Sequence, residues 1–261
     1  MAKKSPDEKW REVLMGEARG HICWAPWMRR LYRAIPSEPR CKLCDTPFGP
    51  PGNVMRFIGF GPSRLNRRIC SGCIHALQKR PGGAEVELSF LFADVRGSTA
   101  LAERTPPAEF SQLMARFYGV AAVAVDRRNG IVDKFVGDEV VALFIPGFAG
   151  PDHAEDAIAA AEELLRETTT MDAAITIGAG VHTGIAYVGN VGEGDAVDFT
   201  AIGDPVNTAA RLASAAGPGE ILVSSAAATS ARLDTGALEA RTLALRGRKE
   251  SVEAWVAAPT S

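Results

Sequence analysis

The stretch 131–144, Ile-Val-Asp-Lys-Phe-Val-Gly-Asp-Glu-Val-Val-Ala-Leu-Phe, leaves the chain few choices. Two β-branched and aromatic runs flank Gly137-Asp138, and a turn of this composition tolerates the positive φ that a tight hairpin demands. Asp138 is therefore expected at an exposed hairpin tip. Lys134 lies in the first strand among apolar neighbours, where an ammonium needs a polar partner or water. It is either a reader of some ligand or a charge guarding a sheet edge.

The 261 residues suffice for one large domain and a small one. With 46% hydrophobic and 23% charged residues and a formal net charge of -2, there is no basic footprint for nucleic acid or an anionic membrane. No stretch approaches the roughly 18 uninterrupted apolar residues of a membrane span. The expected partner is a small molecule, and the expected location is cytoplasmic. Between Ser5 and Ile35, Trp10, Val13, Leu14, Trp24, Trp27, Met28 and Leu31 suggest two short helices broken near Gly20 and Pro26.

Cys41-Lys-Leu-Cys44 and Cys70-Ser-Gly-Cys73 follow. Each Cys-x-x-Cys can turn two thiolates toward one tetrahedral ion, so zinc is the first reading, with an iron–sulfur cluster or redox thiols as alternatives. Pro47, Gly49, Pro50, Pro51, Gly52, Gly59, Gly61 and Pro62 lie between the pairs, and an ion would supply cohesion that so broken a segment lacks. Cys23 reads as an ordinary buried thiol.

After a break at Pro81-Gly82-Gly83 the texture changes. Glu85 to Phe92 reads as a central strand ending at Asp94, and Arg96-Gly97-Ser98-Thr99 as a turn whose amides converge at a helix start, where an anion could bind. Phe110, Leu113, Met114, Phe117, Ala121 and Val125 recur at helical spacing up to Asn129-Gly130. A helix is expected from about Asp152 to Glu167, then a hairpin of Ile175–Val181 with Ile185–Val188 around Thr183-Gly184, and a loop from Gly189 to Gly194. His182 is given no chemistry. Residues 198–212 run from a short strand into a helix that puts Asn207 and Arg211, four apart, on one face suited to an anionic group. Strands near Glu220–Val223, Glu239–Leu245 and Val252–Val256 close the chain.

The run Phe-Ala-Asp94-Val-Arg-Gly-Ser-Thr, the hairpin Lys134-Phe-Val-Gly-Asp138 and the helix Asp204-Pro-Val-Asn207-Thr-Ala-Ala-Arg211, in this order, resemble the catalytic domain of class III nucleotidyl cyclases. The resemblance covers about 85–257. It implies an α+β fold, related to ferredoxin-like folds, in which a mixed sheet is covered by helices in the order β-α-α-β-β-α-β. A small helical and four-cysteine metal-binding domain would occupy 1–80.

Carried onto this chain, the resemblance implies that Asp94, Asp138 and the main-chain carbonyl of Val95 hold two Mg²⁺ or Mn²⁺ ions. Asn207 would orient the ribose and Arg211 would stabilise charge on the α-phosphate. Gly97, Ser98 and Thr99 would receive the β- and γ-phosphates, with Arg246 or Arg248 on the terminal one. Lys134 and Thr200 would read the base: an ammonium suits adenine N1 and a hydroxyl can accept from the 6-amino group, whereas guanine N1 calls for a carboxylate. ATP is the implied substrate, 3′,5′-cyclic AMP and pyrophosphate the products, and a homodimer with sites shared between protomers the implied assembly. The Lys-Thr pairing resembles the subclass linked to bicarbonate stimulation, and a hydroxyl that can also donate keeps guanylate cyclase activity as an alternative. A diguanylate cyclase also carries a Gly-Asp/Glu-Glu hairpin, but Val136 occupies the place of its first Gly. A silent nucleotide-binding module would have lost one of these groups, and all of them are present.

Overall fold

A computed structural model describes residues 5–17, 31–41, 43–63, 69–171, 175–193, 196–244 and 251–257. The organising element is β1 (Gly82–Val95), which is almost continuously buried and pairs antiparallel with β3 (Glu139–Phe144) on one side and β4 (Ile177–Glu193) on the other. The sheet runs β2 (Ile131–Val136), β3, β1, β4, β6 (Ile221–Ser224), β8 (Val252–Ala257), β7 (Glu239–Leu243), and β5 (Ala196–Ile202) pairs with the far half of β4. The β4–β6 pairing is parallel and its neighbours antiparallel, so the sheet is mixed, as expected.

Strand alternation sends successive β1 side chains to opposite faces, and each face has its own core. Leu91, Ala93 and Val95 pack with Leu113, Phe117 and Val125 of α4 (Pro107–Arg127), with Ile158 and Leu164 of α6 (His153–Thr169), and with Ala227 of α8 (Ser225–Ser230). Val86, Leu88 and Phe90 pack on the other face with Ala209 and Ala213 of α7 (Asp204–Ala215). That same cluster takes in Trp10 and Leu14 of α1 (Pro6–Leu14), the four cysteines, and Leu77 of α2 (Ser71–Gln78). The segment before Gly82 thus covers sheet surface: Trp10 Nε1 donates to the Pro81 carbonyl at 3.1 Å and its ring stacks on Phe199 at 6.1 Å. Between β1 and α4 lies α3 (Ser98–Arg104), and α5 (Pro146–Ala149) follows β3.

Two expectations fail for one reason. The hairpin around Thr183-Gly184 does not form, and Gly189–Glu193 is strand and not loop, Gly194 lying outside the described residues; Ile177–Glu193 is one strand, paired with β1 from Ile177 to Asn190 and with β5 from Tyr187 to Glu193. Its glycines make room instead of turns. A Cβ on Gly180 would lie 2.3 Å from the Ala213 nitrogen, one on Gly184 2.8 Å from Pro205 Cγ, and one on Gly189 2.4 Å from Gly83 Cα. They seat α7 against the sheet and let β4 cross close over β1. For the same reason the break at Pro81-Gly82-Gly83 is the start of β1, with Gly82 opposite Asn190 and Gly83 opposite Gly189. Of the second helix expected before Ile35, Trp24, Trp27, Met28 and Cys23 lie outside the described residues, while residues 31–34, with Leu31, are helical.

Candidate active site

The hairpin forms as the sequence requires. Val136 pairs with Glu139 across a two-residue turn, and Gly137 adopts φ 63°. Tyr118 of α4 pins it from outside, stacking on Phe135 at 4.3 Å and donating to the Gly137 carbonyl. The turn is tied to the end of β1, where the Val95 N–H donates to the Asp138 carbonyl at 3.2 Å.

Asp94 and Asp138 therefore meet. Their carboxyls share a hydrogen bond, and Glu139 stands opposite Asp94 in the β1–β3 register. Burial, then the hydrogen bond and charge of Asp138, push the Asp94 carboxyl up to about 6, partly offset by Arg96. Glu139 is pushed up to about 7 by burial and by both aspartates. The nearby cation is Arg96, whose Nη1 lies 3.3 Å from Asp94 Oδ2 and whose Nη2 donates to the Ala213 carbonyl. Three carboxylates facing one guanidinium is an under-neutralised cluster of hard oxygen donors, which fits a divalent cation. Beside it, Ser98, Thr99, Ser111, Tyr118 and Asp138 line a cleft of about 630 Å³, which puts the start of α3 next to the carboxylates. Gly97 enters that helix at φ 71° with no side-chain cap on its first amides.

A second cluster joins β2 to β5. Lys134 Nζ lies 3.4 Å from Asp133 Oδ2 and 3.6 Å from Asp198 Oδ2, and Thr200 Oγ1 donates to Asp133 Oδ2 at 2.9 Å. Lys134 and Thr200, named from the sequence, are brought side by side by a carboxylate that motif reading passed over. On α7, Thr208, Ala209, Leu212 and Ala213 are buried against the sheet. This leaves Asn207 exposed and Arg211 half-buried on the outer face, and Arg211 has no ion-pair partner among the described residues. Arg246 and Arg248 lie outside the described residues. His182 Nδ1 is 2.8 Å from Ser224 Oγ, a structural contact.

Cys41, Cys44, Cys70 and Cys73 are all buried, with their sulfurs within 4.8 Å of one another. The Cys70 N–H donates to Cys41 Sγ at 3.2 Å and the Cys73 N–H to Cys70 Sγ at 3.3 Å, an amide environment that favours thiolate. Hydrogen bonds from Cys44 and Cys70, with burial, push the Cys41 thiol far up, as expected when protonated thiols crowd a space made for one ion. The α2 helix carrying Cys73 ends at Asn190 of β4, whose Nδ2 lies 2.7, 2.8 and 2.5 Å from the carbonyls of Leu77, Gln78 and Arg80.

Residues that sequence reading gave no role are Arg96, Asp133, Glu139 and Asp198. The signal for Asp133 was two adjacent charges inside an apolar strand, which strict alternation cannot accommodate on one side.

Comparison with known proteins agrees with this geometry. Uncharacterized protein Rv1318c of Mycobacterium tuberculosis is 36% identical over 152 residues, 58% of this chain and 28% of that protein. Rv1319c of the same organism is 35% identical over 158 residues, 29% of its length, so the chain spans under a third of these relatives. Among solved structures, the guanylyl cyclase Cya2 superposes with a TM-score of 0.62 at 27% identity, covering 69% of this chain and 96% of that one. The adenylyl cyclase CyaB from P. aeruginosa gives 0.60 at 26% identity, covering 68% and 96%. The family described as the adenylate and guanylate cyclase catalytic domain matches residues 84–258, β1 through β8, and the chain belongs to that family.

Proposed function

We propose that this protein is an adenylate cyclase, converting ATP into 3′,5′-cyclic AMP and pyrophosphate at sites shared by two copies of the chain. The observation that supports ATP is the pairing of Lys134 with Thr200 on one carboxylate. An ammonium donates to adenine N1, and a guanine-reading site would need an acceptor there. Asp94 and Asp138, with the Val95 carbonyl, would hold divalent Mg²⁺ or Mn²⁺, which would lower the pKa of the ribose 3′-hydroxyl and neutralise the triphosphate. The chain's own groups do the positioning. Gly97, Ser98 and Thr99 hold the β- and γ-phosphates, and Asn207 fixes the ribose so that its 3′-oxygen lies in line with the α-phosphorus. The new P–O bond forms as the bond from the α-phosphorus to the pyrophosphate oxygen breaks, with the hydroxyl proton passing to solvent. Arg211 meets the charge that builds on the α-phosphate, and that charge is greatest in the transition state.

Residues 85–257 form the catalytic domain in this reading, and residues 1–80 a smaller metal-binding one. No described helix is long and apolar enough to cross a membrane, and an ATP substrate fits a cytoplasmic location. The test incubates the purified protein with Mn²⁺ and ATP or GTP and identifies the product by mass. Cyclic AMP is expected, with ATP the better substrate, and Lys134→Glu should lower the ATP-to-GTP ratio of kcat/KM by at least about tenfold, since a carboxylate accepts from guanine N1. An unchanged ratio would remove Lys134 from base reading.

The four cysteines are proposed to hold a structural zinc ion. Elemental analysis should find one zinc per chain, and Cys41→Ser or Cys73→Ser should release it with a marked drop in thermal stability. Iron, with visible absorbance, would replace zinc by a cluster.

A further inference from the structure

We propose that Asp133 sets the base preference of this cyclase by holding the Thr200 hydroxyl as a hydrogen-bond acceptor toward the nucleotide; this rests on the ATP reading above. Neighbouring residues of a regular strand face opposite ways, yet Asp133 and Lys134 both reach the β5 side. The β2–β3 register shifts between Val132 and Lys134, and such a bulge inserts a residue and turns its side chain from its usual face. The bulge thus carries a carboxylate in behind the lysine.

Burial separates the two acids at this site. The Asp133 side chain is 4% exposed and that of Asp198 68%, so Asp198 is a solvated rim charge while Asp133 is fixed within the protein. Burial raises the Asp133 carboxyl, while the Thr200 hydroxyl and the Lys134 ammonium pull it back. Its Oδ1 is buried without a partner beside a small cavity bounded by Leu77 and Phe199, so the hydrogen bonds that fix it all fall on Oδ2.

The consequence is directional. A threonine hydroxyl has one proton and two lone pairs. With the proton committed to Asp133 Oδ2 at 2.9 Å, only lone pairs remain to face the base. Adenine offers its 6-amino group there and is accepted, whereas guanine offers a carbonyl oxygen, which meets lone pair against lone pair. Without Asp133 the hydroxyl is free to turn, accepting from the adenine 6-amino group or donating to the guanine carbonyl. Asp133 is a positioning residue, acting through Thr200.

The experiment measures kcat/KM for ATP and for GTP with Mn²⁺ in the full chain, its Asp133→Ala, Asp133→Asn and Thr200→Val variants, and the Asp133→Ala/Thr200→Val double variant. Asp133→Ala should lower the ATP-to-GTP ratio about tenfold, chiefly by raising turnover of GTP relative to ATP. Asp133→Asn keeps the volume and secures a test if the alanine variant folds poorly; its amide can donate to Thr200 and should move the ratio the same way. In the Thr200→Val background, Asp133→Ala should change the ratio by less than about twofold, because the hydroxyl it orients is gone. ATP and GTP rates that fall in equal proportion would mean a merely structural role and overturn the proposal, as would an undiminished shift in the Thr200→Val background. A wild-type protein with no ATP preference would overturn the ATP reading itself, and an ATP-selective wild type with a selective Asp133→Ala variant would overturn the Asp133 proposal alone.

Discussion

Asp138→Ala is expected to reduce cyclase activity by at least about a thousandfold and to raise the melting temperature of the metal-free protein. The loss follows from the proposed role, since Asp94 alone offers too few oxygens to hold an ion against a triphosphate. The gain follows from the geometry. The Asp94 carboxyl, ordinarily near 3.8, sits at about 6 because it is buried and because Asp138 lies against it. Between those values the folded chain retains a proton that the unfolded chain has released, so stability declines as pH rises through the window and the whole cost stands above about pH 6. Removing Asp138 leaves the burial and deletes the hydrogen bond and the like charge. Thermal melts in chelator at pH 8 should show Asp138→Ala a few degrees above wild type, converging with it near pH 4, where the Asp94 carboxyl of wild type is protonated and no longer opposes a like charge. Added Mg²⁺ should stabilise wild type and not the variant. Undiminished turnover, or equal stabilisation by Mg²⁺, would remove Asp138 from the metal site. Asp94→Ala should be as inactive, with less gain, because it also strips Arg96 of its carboxylate at 3.3 Å.

What could be read from the sequence was local. The Gly137-Asp138 hairpin, the end of β1 within one residue of Asp94 and the outer face of α7 depend on turn chemistry and on residues a few positions apart, and all three appear as expected. Gly184 misled because it carries no local sign of the helix whose Pro205 presses on it from 21 residues downstream. A glycine that admits a neighbour looks the same in sequence as one that turns a chain. The role of Asp133 was hidden for a related reason: a bulge breaks the two-residue period from which side-chain direction is inferred, and its partner Thr200 is 67 residues away. The cysteine spacing did predict four sulfurs in one place, but not that they would share a core with Val86, Leu88 and Phe90 of the catalytic sheet.

Neither Asp94→Ala nor Arg211→Ala should work alone, yet a mixture of the two should recover about a quarter of wild-type activity. The reason lies in what one chain leaves unbalanced. At the end of β1 it gathers Asp94, Asp138 and Glu139 around Arg96, while on α7 it presents Asn207 and Arg211 outward, Arg211 without an ion-pair partner among the described residues. Exposed apolar side chains accompany these groups: Phe135 and Val136 on β2, Ile185 and Tyr187 on β4, Val197 and Ile202 on β5. Tyr187 and Ile202 are opposite one another in the β4–β5 register, so part of this surface is continuous and suited to burial by a second copy. A head-to-tail pair would set the carboxylates of one chain against Lys134, Thr200, Asn207 and Arg211 of the other, giving two equivalent sites. When the two variants exchange subunits at random, about half the dimers are mixed, each with one site doubly damaged and one intact, which gives the quarter. The measurement is cyclic nucleotide release after co-incubation, with subunit exchange followed by differently tagged chains. No recovery despite demonstrated exchange would sink the shared site, and so would full activity in a protein that stays monomeric at the assay concentration.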